Sequence, residues 1–231
     1  MRKDFSEREK TCFDFLHNLD KDDSYVVIGG YAVSSFGFPR FSVDLDIVIP
    51  GDEKSSFHRL IADAGYILSK EKLDLTYSGA FERHEKGLVS IDLLINAVQS
   101  RQTGYSYPFS YIFRNSEMRE VSGWDPSNKA RTRVAKKEML IAFKIHSMRD
   151  SDKRDIIMLC YEPPDIPTLL KHLKDGPRNI LLAHIHELAS VVNDRNLKDS
   201  LKGVYSIDDR VFEKTVKNCH RVLEELISKL Q

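Results

Sequence analysis

The feature that most restricts the fold is a change of rhythm along the chain. Up to about residue 128, short apolar runs of strand length alternate with stretches of helical spacing. From about residue 134 the helical spacing is continuous. Strands and helices intermixed, then helices alone, predict an α/β (α+β) half followed by an all-α half. The boundary falls near 125–135, dividing the chain into residues 1–130 and 131–231.

Individual elements follow from periodicity and punctuation. Ser6 and Glu9 form a capping-box pattern ahead of the apolar stripe Cys12, Phe13, Leu16 and Leu19. Tyr25-Val26-Val27-Ile28 is a short buried strand ending at Gly29-Gly30. A helix over 31–36 stops at Gly37 and Pro39, a strand over 41–49 turns at Pro50-Gly51, and a helix over 53–64 closes at Gly65. Strands are expected at 66–68, 73–77 and 88–95. Residues 99–128 read as irregular strands or a β-ribbon. There Tyr105, Tyr107, Phe109, Tyr111 and Phe113 alternate as a strand would, facing the core or, less simply, offering a stacking surface for a base. Helices are expected over 136–149, 153–161, 167–173, 180–193 and 209–230.

Composition narrows the function classes. Lys and Arg number 35 and Asp and Glu 35, so the broad basic footprint of a long-nucleic-acid binder is absent from the totals. No charged-then-apolar leader opens the chain, and no run of about 18 apolar residues occurs, so a membrane segment is not expected. Cys12, Cys160 and Cys219 are widely spaced and lack C-x-x-C pairing. They read as reduced thiols of a cytoplasmic protein. His184 and His186 lie two apart on an expected helix and do not share a face, which argues against a metal site there.

The chemistry concentrates in Val43-Asp44-Leu45-Asp46-Ile47-Val48-Ile49. On a strand, Val43, Leu45, Ile47 and Ile49 face one side while Asp44 and Asp46 sit side by side on the other. Two such carboxylates repel each other unless a cation lies between them, and a hard divalent ion with oxygen ligands also binds triphosphate. Taken alone, the pair equally describes two solvated acids, as in Asp20/Asp22 and Asp150/Asp152. Gly29-Gly30 after a strand permits close approach of a phosphate, or simply makes a tight turn. Asp92, in Val89-Ser90-Ile91-Asp92-Leu93-Leu94-Ile95, requires a cation, a hydrogen-bond network or an edge position. Lys144, inside Leu140-Ile141-Ala142-Phe143-Lys144-Ile145, shares a helix face with Lys137, Ile141 and Met148. It is either functional or a snorkelling side chain.

Together these pieces resemble the signature of the nucleotidyltransferase superfamily (polymerase β-like fold): a Gly-Gly turn, an Asp-x-Asp strand and a third carboxylate on a later strand. The run Arg40-Phe41-Ser42-Val43-Asp44-Leu45-Asp46 is most similar to AbiEii-type and minimal nucleotidyltransferases of abortive-infection and toxin–antitoxin systems. The resemblance implies a mixed sheet with flanking helices, a nucleoside triphosphate substrate, and two Mg2+ ions (or Mn2+) held by Asp44, Asp46 and Asp92. It implies that Gly29, Gly30 and Ser34 hold the triphosphate, with Arg40, Ser42 and Lys144 in support. A helix lysine followed by a basic segment and an acid, here Arg149, Lys153 and Asp155, is also similar to the family. The implied acceptor is a tRNA end, a protein hydroxyl or a small molecule, and an antitoxin is an implied partner. A non-catalytic nucleotide-binding or regulatory module of the same fold is the alternative.

Overall fold

The computed structural model describes residues 2–20, 23–42, 44–74 and 79–231, without the side chains of 2–4, 73 and 74. The chain divides into two compact units, Met1–Val98 with Ser106–Lys136, and Gln99–Tyr105 with Lys137–Gln231. Each is a packed body with its own buried residues.

The first unit is built on a seven-stranded mixed sheet. Its strands are β1 (Val26–Ile28), β2 (Asp44–Ile49), β3 (Ile67–Asp74), β4 (Gly79–Lys86), β5 (Val89–Ile95), β8 (Ser116–Ser122) and β9 (Lys129–Ala135). They run in the order β3-β4-β5-β2-β1-β9-β8. β2 is parallel to β5 and β1 to β9, and the remaining neighbours are antiparallel. Two short strands, β6 (Ala97–Gln99) and β7 (Ser106–Pro108), pair separately. Helices α1 (Arg2–His17), α2 (Gly29–Ser34), α3 (Lys54–Asp63) and α4 (Phe109–Arg114) complete the unit.

Alternation on β2 sorts its side chains as the sequence pattern requires. Leu45, Ile47 and Ile49 are wholly buried, with Ile91, Leu93 and Ile95 as their register partners on β5. Phe57 and Ile61 on α3 add to this buried set. Strands buried on one face are held in register by that face, because a one-residue slip would turn every apolar side chain outward.

Several expectations are corrected. α1 runs past Ser6, which is no N-cap and instead donates to Asp125 Oδ2 at 3.3 Å. Glu9, expected to close a capping box, is buried and accepts from the backbone N–H of Trp124 (2.6 Å) and Asp125 (2.9 Å) and from Asn128 Nδ2 (3.0 Å). It pins α1 to the turn between β8 and β9. The Tyr105–Phe113 alternation is not one strand, since Phe109 begins α4. β4 was not anticipated, and β9 carries the sheet up to the edge of the helical region. The expected strand over 41–49 begins at Asp44, and Val43 lies outside the described residues, as do residues 75–77 of the strand expected over 73–77.

The second unit is helical: α5 (Lys137–Ser147), α6 (Asp150–Leu159), α7 (Ile166–Leu173), α8 (Arg178–Val192), α9 (Leu197–Lys202) and α10 (Asp209–Leu230). α9 is an addition to the expected set. Cys160 and Cys219 are buried here as free thiols, as Cys12 is in the first unit. Among the described residues no helix is long and apolar enough to cross a membrane.

Candidate functional site

The acids converge because β2 and β5 run parallel and in register. Asp44 stands beside Ser90 and Asp46 beside Asp92, so all four side chains share the face opposite Leu45 and Ile47. Ser90 Oγ donates to Asp44 Oδ1 at 2.6 Å. β4 brings Arg83 against Asp92 on the same face. Its Nε and Nη2 donate to Asp92 Oδ1 and Oδ2 at 2.7 and 2.6 Å, a two-pronged pair whose carboxylate is buried. Asp92 is therefore satisfied by a cation on an interior strand. The Asp92 hydrogen bonds, with Asp44 and Asp46 nearby, raise the Arg83 guanidinium still further above its usual pKa.

The Gly-Gly turn closes over this face. Gly29 has φ of +68°, and a Cβ there would overlap Asp46 Oδ2 and lie 2.8 Å from its Cγ. Only a residue without a side chain allows the backbone so near the carboxylate. At Gly30 a Cβ would meet Ser42 Oγ at 2.9 Å and Arg40 Nη2 at 3.0 Å. Tyr31 Oη donates to the Ser42 carbonyl at 2.7 Å, and Ser42 Oγ donates to the Asp44 carbonyl at 3.2 Å, tying the incoming loop to the head of β2. α2 itself spans only Gly29–Ser34, so the turn contributes close backbone approach more than an extended helix dipole.

Gly29, Gly30, Arg40, Ser42, Asp44, Asp46 and Asp92 are thus gathered in one place. Ser34 is buried, and its hydroxyl donates to the Gly30 carbonyl at 3.1 Å and accepts from the Arg40 amide at 3.4 Å, which braces the loop. Lys144 belongs to the helical unit. Its ammonium is buried between Asp155 Oδ2 at 2.6 Å and Asp152 Oδ1 at 3.1 Å, and Tyr205 donates to the other oxygen of Asp155. Lys153 pairs with Glu187 and Asp150, and Arg149 with Asp152. His184 Nδ1 meets the Ile145 carbonyl at 2.7 Å.

The oxygen-only donor set of Asp44, Asp46 and Asp92 suits a hard divalent cation, and the absence of a Cβ at Gly29 leaves the Asp46 carboxylate seated directly against the turn. The three carboxylates are not drawn to a single point. Among the described residues, the three-residue group with ligand atoms within 4.8 Å of one another is His58, Glu82 and His84, on another face of the sheet. A cavity of about 630 Å³ lies beside the Gly37–Pro39 loop, between Arg119, Trp124 and Lys129, and none of the acids lines it. Arg83 and Ser90 are the site residues that sequence reading missed. Ser90 carries a signal, lying two before Asp92 and hence on its face. Arg83 lies on the strand that was not anticipated.

No family model matches the sequence, and neither does any curated protein. Solved structures do. An H. pylori protein, whose assignment as a nucleotidyltransferase is itself provisional, is 19% identical. It aligns over 98% of this chain and 96% of its own with a TM-score of 0.50. The lincosamide antibiotic adenylyltransferase LnuA is 21% identical, over 58% of this chain and 84% of its own, with a TM-score of 0.37. The antibiotic-resistance factor ANT(2'')-Ia is 14% identical, over 98% and 96%, with a TM-score of 0.42. Along nearly its whole length, the chain shares the fold of the H. pylori protein.

Proposed function

We propose that the chain is a divalent-metal-dependent nucleotidyltransferase that moves a nucleoside monophosphate from a nucleoside triphosphate to an acceptor hydroxyl, releasing pyrophosphate. The observation that carries the reading is the set of three carboxylates on two adjacent parallel strands, capped by a glycine whose backbone approaches Asp46 where no side chain fits.

In this reading Asp44, Asp46 and Asp92 hold magnesium, or manganese in its place. The metal supplies charge stabilisation at the triphosphate and lowers the pKa of the attacking hydroxyl. Gly29 and Gly30 admit the triphosphate close to the backbone, with the Arg40 guanidinium and Ser42 hydroxyl beside them. Asp92 accepts the acceptor's proton, and Arg83 positions that carboxylate. Ser34 holds the loop, and Lys144, tied to its two aspartates, serves the helical unit. Residues 1–130 would form the catalytic domain and 131–231 a helical accessory. Three free buried cysteines favour a cytoplasmic setting.

One observation favours a second reading. Arg83 engages both oxygens of Asp92, as suits a nucleotide-binding or regulatory module that uses only Asp44 and Asp46. The test is incubation of the purified chain with Mg2+ or Mn2+, each labelled nucleoside triphosphate, and total RNA, protein and small hydroxyl compounds. Transfer should fall by about two orders of magnitude or more in Asp44→Asn and Asp46→Asn, since metal-borne charge stabilisation is worth several kcal/mol. Near-normal turnover in both variants rejects the assignment, and nucleotide binding without transfer selects the second reading. The destination of the label identifies the acceptor. Label on tRNA or protein would support the toxin–antitoxin role that the AbiEii-type motif implies, and an antitoxin would then be sought as a partner.

A further inference from the structure

The face of β4 opposite Arg83 carries chemistry that nucleotidyl transfer does not use. Glu82 and His84 flank Arg83 in sequence, so alternation turns both to the side covered by α3. On α3, Lys54 and His58 are four apart and share a helix face. His58 Nε2 lies 2.6 Å and His84 Nε2 3.1 Å from the same oxygen, Glu82 Oε2. Lys54 Nζ takes the other oxygen, Oε1, at 2.6 Å. Glu82 and His84 are buried, while the His58 side chain is 39% exposed and gives access from solvent.

We infer that His58, Glu82 and His84 form a zinc-class transition-metal site, a pair of imidazoles and one carboxylate that staples α3 to β4. The ligand type is right: two ring nitrogens and one carboxylate oxygen suit a borderline-soft divalent ion better than magnesium. The spacing is right as well. Ligands on a tetrahedral zinc stand roughly 3.3 Å apart, given bonds of about 2.0–2.1 Å. Seating the ion among these atoms therefore requires the His58–Glu82 separation to open by about 0.7 Å, on the exposed His58 side, and the His84–Glu82 separation by about 0.2 Å. With Nε2 bound to the ion, each neutral ring would carry its single proton on Nδ1. Lys54 on Oε1 leaves Oε2 as a single-toothed ligand, and Glu71 holds Lys54 in turn at 3.7 Å. Water completes the coordination on the exposed His58 side. The site stands apart from the Asp44–Asp46–Asp92 face, so it holds or fails independently of transferase activity.

The experiment titrates the full-length chain, stripped with chelator, with Zn2+ in excess Mg2+ against a chromophoric competitor. Co2+ serves as a spectroscopic probe. One equivalent of Zn2+ per chain is expected to bind and raise Tm, and Co2+ to show the visible absorption of a tetrahedral site. His58→Ala removes a half-exposed ring and should leave the fold intact. It should weaken binding by more than about a hundredfold, since even outer-shell partners of metal ligands are worth roughly 10- to 100-fold. Glu82→Gln and His84→Ala should do likewise, while Asp44→Asn should bind as the parent does. Absence of stoichiometric binding, binding undiminished in His58→Ala, or binding lost in Asp44→Asn instead would overturn the inference.

Discussion

Gly29 shows how one residue carries both backbone geometry and site chemistry. Its positive φ costs a side-chain-bearing residue roughly 1–2 kcal/mol. A methyl there must also displace the Asp46 carboxylate. Gly29→Ala is thus expected to lower stability by that order in chemical denaturation, and to depress metal-dependent nucleotide binding more than the stability loss explains. Unchanged binding in a folded Gly29→Ala protein would separate the turn from the site. At this scale the sequence was informative where alternation alone sets the face that a side chain takes. Asp44, Asp46 and Asp92 alternate with aliphatic residues, and the register of β2 on β5 puts all three on one face. The roles of Arg83 and Lys144 depend on partners far away in the chain or on another helix, which spacing along one element does not encode.

Lys144 is best judged as part of an element pair. Sitting on α5, it reaches two carboxylates of α6 in a buried cluster closed by Tyr205, so it joins two helices. Removing one partner of such a group leaves the others charged in a poor solvent. Lys144→Met keeps the volume and should cost about 3 kcal/mol in urea unfolding, with the KM for nucleoside triphosphate near that of the parent below the melting range. A large KM increase without destabilisation would return Lys144 to the triphosphate. Strongly periodic helices and the aliphatic strands were legible at this scale. β4 was not, because Phe81-Glu82-Arg83-His84-Glu85 puts charged groups on both faces, and the partners of Arg83 and Glu82 lie on β5 and α3, outside the strand's own pattern. β9 buries Ala130 and Thr132, small side chains with little hydrophobic signal. α4 was hidden by aromatics whose spacing suited a strand and a helix alike.

For the molecule as a whole, acid should act in two stages. Burial, helped by the neighbouring His184, lowers His146 from the usual 6.5 to about 4, while Thr103 Oγ1 lies 2.7 Å from its Nδ1. The unfolded chain takes up this proton first, so stability is full above about pH 6.5 and declines as pH falls through 4, by on the order of 2–3 kcal/mol. Burial alone would raise the Asp152 carboxyl, but Lys144 and Arg149 bring it down to about 2. Its contribution is present above the usual value of 3.8 and is lost as pH falls toward 2. Melting curves from pH 7.5 to 4 should show the first decline in the parent and a flatter profile in His146→Gln. Equal slopes would assign the loss to other groups.

The order β2-β1-β9 also has a consequence for birth on the ribosome. β1 is made early, yet its parallel neighbour, paired at Val27 and Val134, arrives more than a hundred residues later. At roughly 5–20 residues per second, the nascent chain holds an unsatisfied strand edge for about 5–20 s. During that interval the emerging polypeptide is open to misassociation with another strand, and a chaperone that shields β1 would aid its maturation more than one that acts after release.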